Sequence, residues 1–419
     1  MLYDVIVAGA GPGGSSVAHD CAAAGMSVLL LDRMQFPRDK PCGGGVSQHT
    51  ADLFPFSIES VIERVILGMH ISVRMRPGFT RRASRPLGYL TQRRRLDTFL
   101  AEQAWAAGAL FRDGAPVRGV ERNTDHVVVR AGAEVYRGRT LVAADGANGP
   151  TARLAGLAVP RWLAVALEGN VTPSADFPGA WADTFGMDIG GIPGGYGWIF
   201  PKLDHLNIGV GGRYSVGPTL RSRLDTLTRF YGFNPRDVWG TRGHPLPVRH
   251  PHAPLRAGNV LLVGDAAGLV DPVSGEGIYY AVRSGQIAAR HLHAYLGGQA
   301  RDLSGYEMEV RRDLLPNLHD ALRVHDLFHL APAVYAELVK RSPWAWDVVC
   351  KIVRGDLEYT GMTHRVPLLG LGFDLISDAV RAVSHLRDSR DERPRPERFF
   401  TTLHRPDASA AGPAPELTP

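Results

Sequence analysis

Gly9-x-Gly11-x-x-Gly14 lies between two apolar runs, residues 5–8 and 28–31, and the second run ends on Asp32. In such a pattern the first glycine permits a tight turn, the second lets the backbone approach a pyrophosphate, and the third lets helix and strand pack closely. The helix that follows turns its free N–H groups and positive dipole end toward the anion. Asp32, 18 residues past Gly14, is spaced to hydrogen-bond a ribose hydroxyl. Strand, helix, strand and acid together predict a unit that holds a dinucleotide.

Other residues extend this chemistry. Pro41-Cys42-Gly43-Gly44-Gly45 makes a loop with little Cβ bulk, which could lie against a flat ligand with Cys42 at its face or edge; a flexible surface turn is the competing reading. An apolar strand ends in Ala144-Asp145-Gly146, the form of a loop at the edge of a parallel sheet near a bound nucleotide. A second buried strand ends in Gly264-Asp265, whose carboxylate could take ribose or ribityl hydroxyls, and a helix beginning near Ile278 would aim its N–H groups past Gly275-Glu276-Gly277 at an anion. Tyr196, Trp198 and Phe200 recur with period two before Pro201, so one face of a strand is aromatic, either as core or as the wall of an apolar pocket. Arginines 81, 82, 85, 93, 94 and 95 are read as a basic cluster, a solvated face or a phosphate grip. His325 and His329 are one helical turn apart, with His319 nearby, but no HExxH or third carboxylate accompanies them, and no metal is expected.

Positioning such residues takes two kinds of scaffold, and the chain has the length for both. Its 419 residues are 44% hydrophobic and 21% charged, ordinary for a soluble globular protein. The fold class expected is α/β: a Rossmann-type domain (residues 1–50, 90–158 and 250–300) interleaved with a mixed β-sheet substrate domain (51–89 and 159–249). C-terminal helices (301–404) and a disordered Pro/Ala-rich tail (405–419) complete the chain. Net charge is +5, with lysine only at Lys40, Lys202, Lys340 and Lys351, and nucleic acid is not indicated. Three scattered cysteines give neither a CxxC motif nor a disulfide framework, which fits a reducing, cytoplasmic compartment. A strand starting at residue 3 leaves no room for a signal peptide, and no run reaches the roughly 18 apolar residues of a spanning helix. Reversible contact with a membrane surface is expected; the amphipathic stretch 367–386 could supply it, although packing against the core is the favoured reading of that stretch.

At these residues a resemblance becomes specific. The glycines with Asp32, Arg93-x-x-Leu96-Asp97, Ala144-Asp145-Gly146 and Gly264-Asp265-Ala266 resemble the aromatic-hydroxylase-like superfamily of FAD enzymes. Residues 41–45, Tyr196-x-Trp198-x-Phe200-Pro201 and the run 264–284 resemble, more narrowly, its geranylgeranyl reductase family. That resemblance implies FAD held by Gly9, Gly11, Gly14, Asp32 and Arg33 at the ADP half and by Arg93 and Asp265 along the pyrophosphate and ribityl chain. Cys42, Gly43, Gly44, Asp145, Gly264, Gly275, Glu276, Gly277 and Ile278 would complete the cofactor site. Gly45, Val46, Tyr196, Trp198, Phe200 and Pro201 would border an isoprenoid or lipid substrate. The implied reaction is hydrogenation of isoprenoid double bonds, with NAD(P)H or reduced ferredoxin as electron donor; the chain itself is read as a possible monomer. Cys42 is the candidate proton donor and Tyr196 the reserve, since thiols ordinarily titrate near 8.5 and phenols near 10. Hydroxylation or halogenation is the alternative; a halogenase needs a lysine between flavin and substrate, and none lies between Lys40 and Lys202.

Overall fold

The computed structural model describes residues 1–159, 161–174 and 179–364; the stretch 367–386 and the tail 405–419 fall outside them. The first strand, Leu2–Ala8, is flanked by Val28–Leu31 on one side and Glu134–Ala143 on the other, all parallel. Val5, Ile6 and Val7 are fully buried, as a central parallel strand covered on both faces requires. The sheet runs Arg256–Ala257, Val260–Leu262, Glu134–Ala143, Leu2–Ala8, Val28–Leu31, Leu110–Arg112, with the hairpin strands Val117–Arg122 and Val127–Ala131 joined beside Glu134–Ala143. Ala8 is level with Leu31 and with Ala143, and Ala143 with Leu262. Because four strands stop at one height, the loops carrying Gly9, Asp32, Asp145 and Gly264 converge on one edge of the sheet.

Two helices seal that edge by backbone contact. A β-carbon at Gly14 would stand 1.8 Å from the Gly9 carbonyl oxygen, so the helix Pro12–Ala23 rests on its own preceding turn. The same helix meets Ile278–Leu296 closely at two glycines: a β-carbon at Gly285 would come within 2.6 Å of Gly13 O, and one at Gly13 within 2.9 Å of Ala281 O.

The second layer is a seven-stranded sheet ordered Trp239–Arg249, Arg161–Val171, Leu206–Arg213, Gly195–Pro201, Thr184–Ile192, Gly68–Val73, Phe79–Arg82. One face packs Val165, Leu167, Ile199, Ile208 and Val210 under Leu220, Leu224 and Leu227 of the helix Leu220–Phe230. A small sheet of Gly45–Ser47, Gly88–Leu90 and Arg64–Ile66 bridges the two layers. Five helices, from Ser304–Asp313 to Tyr359–His364, follow; Pro332–Arg341 and Pro343–Arg354 pack beside Phe185, Ile189 and Met69 of the second sheet. Among the described residues no helix is long and apolar enough to cross a membrane.

Candidate active site

A cavity of about 2300 Å³ runs from the Gly9–Gly11 turn to the C-terminal helices, between the loop edge of the first sheet and the open face of the second. Single small-molecule pockets are typically ~300–1,000 Å³, so this one has room for a dinucleotide and a second long molecule.

At its first end the walls are cationic. Arg93 Nε and Nη2 each donate to the Asp97 carboxylate at 2.7 Å, and Arg38 Nη1 reaches Asp97 Oδ2 at 2.7 Å. A β-carbon on Gly11 would meet nothing nearer than Arg38 Nη2 and Arg93 Nη2, both at 3.7 Å. Open backbone facing two guanidinium groups suits a pyrophosphate. Asp32 Oδ2 accepts the Ala10 N–H and Oδ1 the Met34 N–H, both at 2.9 Å, so the acid also fixes the turn it borders. Arg33 and Asp145 lie on the same wall. Deeper in, Lys40 Nζ donates to Asp265 Oδ2 at 2.8 Å. Burial would raise the pKa of Asp265, but Lys40, with His244 and Arg93, carries the net direction down, so it stays ionised. Burial, with Lys40 beside it, drives His244 down to about 3, and its buried Nε2 has no hydrogen-bond partner among the described residues. An orphaned polar atom on the cavity wall fits a hydroxyl-rich ligand such as the ribityl chain. These residues fit FAD.

The middle of the cavity joins loop 41–45 to the aromatic strand. Gly43 lies so close under Phe200 that a β-carbon there would be 2.7 Å from the ring. Cys42, Gly44, Gly45 and Val46 line the cavity on this side, with Gly264, Gly277 and Ile278 opposite. Tyr196 Oη donates to the Ser274 carbonyl and stands 3.3 Å from where a Gly275 β-carbon would be. Burial, then Asp271, raises the pKa of Tyr196, so its proton is held tightly. Glu276 accepts from Ser47 Oγ at 3.0 Å and Thr50 Oγ1 at 2.9 Å; burial pushes it up to about 7. Beyond Tyr196 and Phe200 the walls turn apolar: Ile66, Met69 and Phe185 from the sheets, Leu87 from the loop before Gly88–Leu90, Val339 and Val353 from the helices.

Several sequence readings change. Of the six arginines read as one cluster, only Arg93 reaches the cavity. Arg81 donates to Lys340 O, Arg82 pairs with Asp183, Arg85 with Asp356 and Arg95 with Glu63, and Arg94 is exposed. They sit on an edge strand, a loop and a helix start, which point different ways. Pro201 does not line the cavity; the period of two that turns Tyr196, Trp198 and Phe200 inward turns Pro201 away. Gly14 likewise acts through packing and is not on the wall. The region 159–249 holds the helix Leu220–Phe230 as well as strands. No lysine lies between Lys40 and Lys202 in the sequence, yet the fold brings both of these to the site: Lys40 is on Asp265, and Lys202 Nζ donates to the carbonyls of Gly43 and Thr91. His325 and His329 do line the cavity, with ring centroids 4.5 Å apart, and burial, then His325, lowers His329 to about 3. Among the described residues no group of three side chains suits a metal ion.

Gly11→Val tests the first end. The β-carbon fits the folded chain but fills the space before Arg38 and Arg93, so the variant is expected to fold, by circular dichroism, and to purify colourless. A fully yellow variant would move the pyrophosphate elsewhere.

A family model described as an FAD binding domain matches residues 2–188 and 246–312 of this chain. Menaquinone reductase from Mycobacterium tuberculosis (strain CDC 1551 / Oshkosh) is 32% identical over 87% of this chain and 98% of its own length. The chloroplastic geranylgeranyl diphosphate reductase of Oryza sativa subsp. japonica is 31% identical over 92% and 88%. Among solved structures, a geranylgeranyl bacteriochlorophyll reductase-like protein from Thermoplasma acidophilum matches with a TM-score of 0.73 at 24% identity, covering 88% of this chain and 99% of that one, a likeness of fold.

Proposed function

We propose that this chain, which belongs to the geranylgeranyl reductase family of FAD-dependent oxidoreductases, adds two hydrogens across carbon–carbon double bonds of an isoprenoid chain. The observation that carries this reading is the meeting of the Cys42 loop, the aromatic strand and a long apolar arm in one cavity. When bound and reduced, FAD supplies a hydride, its electrons coming from NAD(P)H or reduced ferredoxin. The protein's residues supply the rest. Met69, Leu87, Phe185 and Val339 hold a hydrocarbon chain by burying its surface, at about 25 cal/mol per Å². Trp198 and Phe200, closed over Gly43, exclude water from the reacting carbons. The carbon opposite the hydride acceptor takes a proton from the Cys42 thiol, and Gly44 N–H, 3.3 Å from Cys42 Sγ, stabilises the thiolate until solvent returns the proton.

Anaerobic incubation of the dithionite-reduced holoenzyme with geranylgeranyl diphosphate, and separately with a menaquinone, is expected to give products heavier by two hydrogens per double bond. Product that forms only with O2 would favour a hydroxylase or halogenase. Against halogenation, Lys40 and Lys202 are both committed to protein partners.

The substrate's origin in lipid has a counterpart on the outer surface. Leu330, Val334, Leu338 and Trp344 are 55, 66, 47 and 69% exposed along the outside of the helices whose inner residues Ala336, Val339 and Val349 line the cavity. Lys340 and Arg81 flank that stripe, with no acidic partner among the described residues. Aliphatic and Trp side chains beside basic ones suit the interface of an anionic bilayer on its cytoplasmic side. The protein is expected to sediment with phosphatidylglycerol vesicles at low salt, and Val334→Glu/Leu338→Glu to stay in the supernatant. Equal sedimentation of both proteins would rule out this surface.

A further inference from the structure

We propose that Glu168 and Lys202 are positioning residues for Cys42: an acid and a base from the substrate-side sheet that grip its loop by opposite peptide groups and set the reach of its thiol. The proposal rests on the reading of Cys42 as proton donor. Cys42 N–H donates to Glu168 Oε1 at 2.8 Å. One residue further on, the Gly43 carbonyl accepts from Lys202 Nζ at 2.6 Å, and that ammonium also donates to Thr91 O at 2.8 Å. Thr91 N–H closes the ring by donating to Gly44 O at 2.9 Å. The loop that carries the thiol is therefore held from the second sheet on one side and from the bridging sheet on the other. Glu168 also feels the amide of Asn207, whose Oδ1 accepts the Trp198 Nε1–H of the aromatic wall at 2.8 Å.

A merely structural grip would not need two ionisable side chains. A buried charge costs several kcal/mol to desolvate, whereas an amide could make the same hydrogen bonds. Both groups are also moved toward neutrality. Burial pushes Glu168 up to about 7 against the Cys42 N–H and Lys202, and pushes Lys202 down to about 8 against Cys42, Glu63 and Glu168. Other charges facing the loop are Asp39, which pairs with Arg242 of the neighbouring strand at 2.9 Å, and Arg93 beside Cys42. Glu168 and Lys202 are thus both charged around neutral pH, and there the loop is held by charge-assisted bonds at both ends. Below it Glu168 takes up a proton and weakens its hold on Cys42 N–H; above it Lys202 loses a proton and weakens its hold on Gly43.

The test is alkylation of Cys42 by iodoacetamide in the FAD-loaded protein across pH, read by mass spectrometry of its peptide, with buried Cys21 and Cys350 as internal references. The parent is expected to deviate from a single-ionisation curve, with an added step near pH 7. Glu168→Gln, which keeps an acceptor for Cys42 N–H but not the charge, should lose that step, and Glu168→Asp should restore it. Glu168→Gln should lower kcat for alkene reduction with KM and flavin absorbance unchanged. A Glu168→Gln profile that superimposes on the parent overturns the proposal. If instead the step disappears while Cys42→Ala keeps alkene reduction, the grip stands and the acid reading falls. Should Lys202→Met not fold, Lys202→Arg, which keeps the charge with a different reach, must still change the alkylation rate, or the Lys202 half of the grip is wrong.

Discussion

Cys42→Ala is expected to reduce alkene turnover by about 10²-fold or more, the scale of removing a general acid, while FAD binding and its reduction by the donor stay intact. The fold should tolerate the change because the bonds that hold the loop are main-chain bonds: Cys42 N–H to Glu168 and Gly43 O to Lys202 do not involve the thiol. Only the Gly44 N–H contact to Sγ is lost. An isoprenoid alkene is a poor hydride acceptor, so the missing proton is felt in the chemical step and not in substrate affinity, and kcat should fall with KM nearly constant. Tyr196→Phe should have the smaller effect, since the phenol already donates to Ser274 O and burial holds its proton. Stopped-flow oxidation of the reduced enzyme by substrate separates these outcomes, and near-parental rates for Cys42→Ala would hand the role to Tyr196 or water.

Arg93→Met should cost the protein its flavin and a large part of its stability. Arg93 and Asp97 are both buried, and removing the guanidinium leaves Asp97 to Arg38 alone. Breaking a buried ion pair from one side costs about 3–5 kcal/mol, with the remaining Arg38 bond pulling the result toward the lower figure. Arg93→Met/Asp97→Leu distinguishes the two losses. Without the stranded carboxylate the double variant should recover part of the lost stability, Arg38 keeping only Asp32 Oδ2 at 3.5 Å, yet it should still purify without FAD, because one of the two cations before Gly11 is gone. A yellow double variant would show that Arg38 alone secures the pyrophosphate.

The first layer was legible because its signals are local. The turn, helix and acid from Gly9 to Asp32 lie within one unit, and the strands ending at Ala143 and Leu262 announce themselves by an apolar run followed by Asp-Gly or Gly-Asp. The aromatic strand was legible by its period, which also contained the reason Pro201 faces away. Arg38 and Lys40 could have been suspected, since they lie in the loop between Asp32 and the glycines, but no spacing rule marks which loop cation turns inward. Glu168 and Lys202 carry no such signal at all. They reach Cys42 from strands more than a hundred residues along the chain, and only the pairing of Arg161–Val171 with Leu206–Arg213, and that strand with Gly195–Pro201, brings them near. The apolar arm was invisible for a different reason: Ala336, Val339 and Val353 follow the periodicity of helix core residues, and a cavity wall and a core have the same pattern.

The contact of Gly13 with Gly285 has a consequence for how such a protein can change over generations. Where Gly13 and Gly285 meet, the distance between the helices Pro12–Ala23 and Ile278–Leu296 is set by backbone against backbone. The N-terminal end of one faces the pyrophosphate site and that of the other borders the loop of Glu276, so the seam acts as a ruler for a single extended cofactor. Mutations at Ile66, Met69, Phe185, Val339 or Val353 lie outside this ruler and can reshape the apolar arm without moving it. Inheritance can therefore explore new hydrocarbon partners through ordinary substitutions in the arm, while almost any change at Gly13 or Gly285 forfeits the reaction altogether.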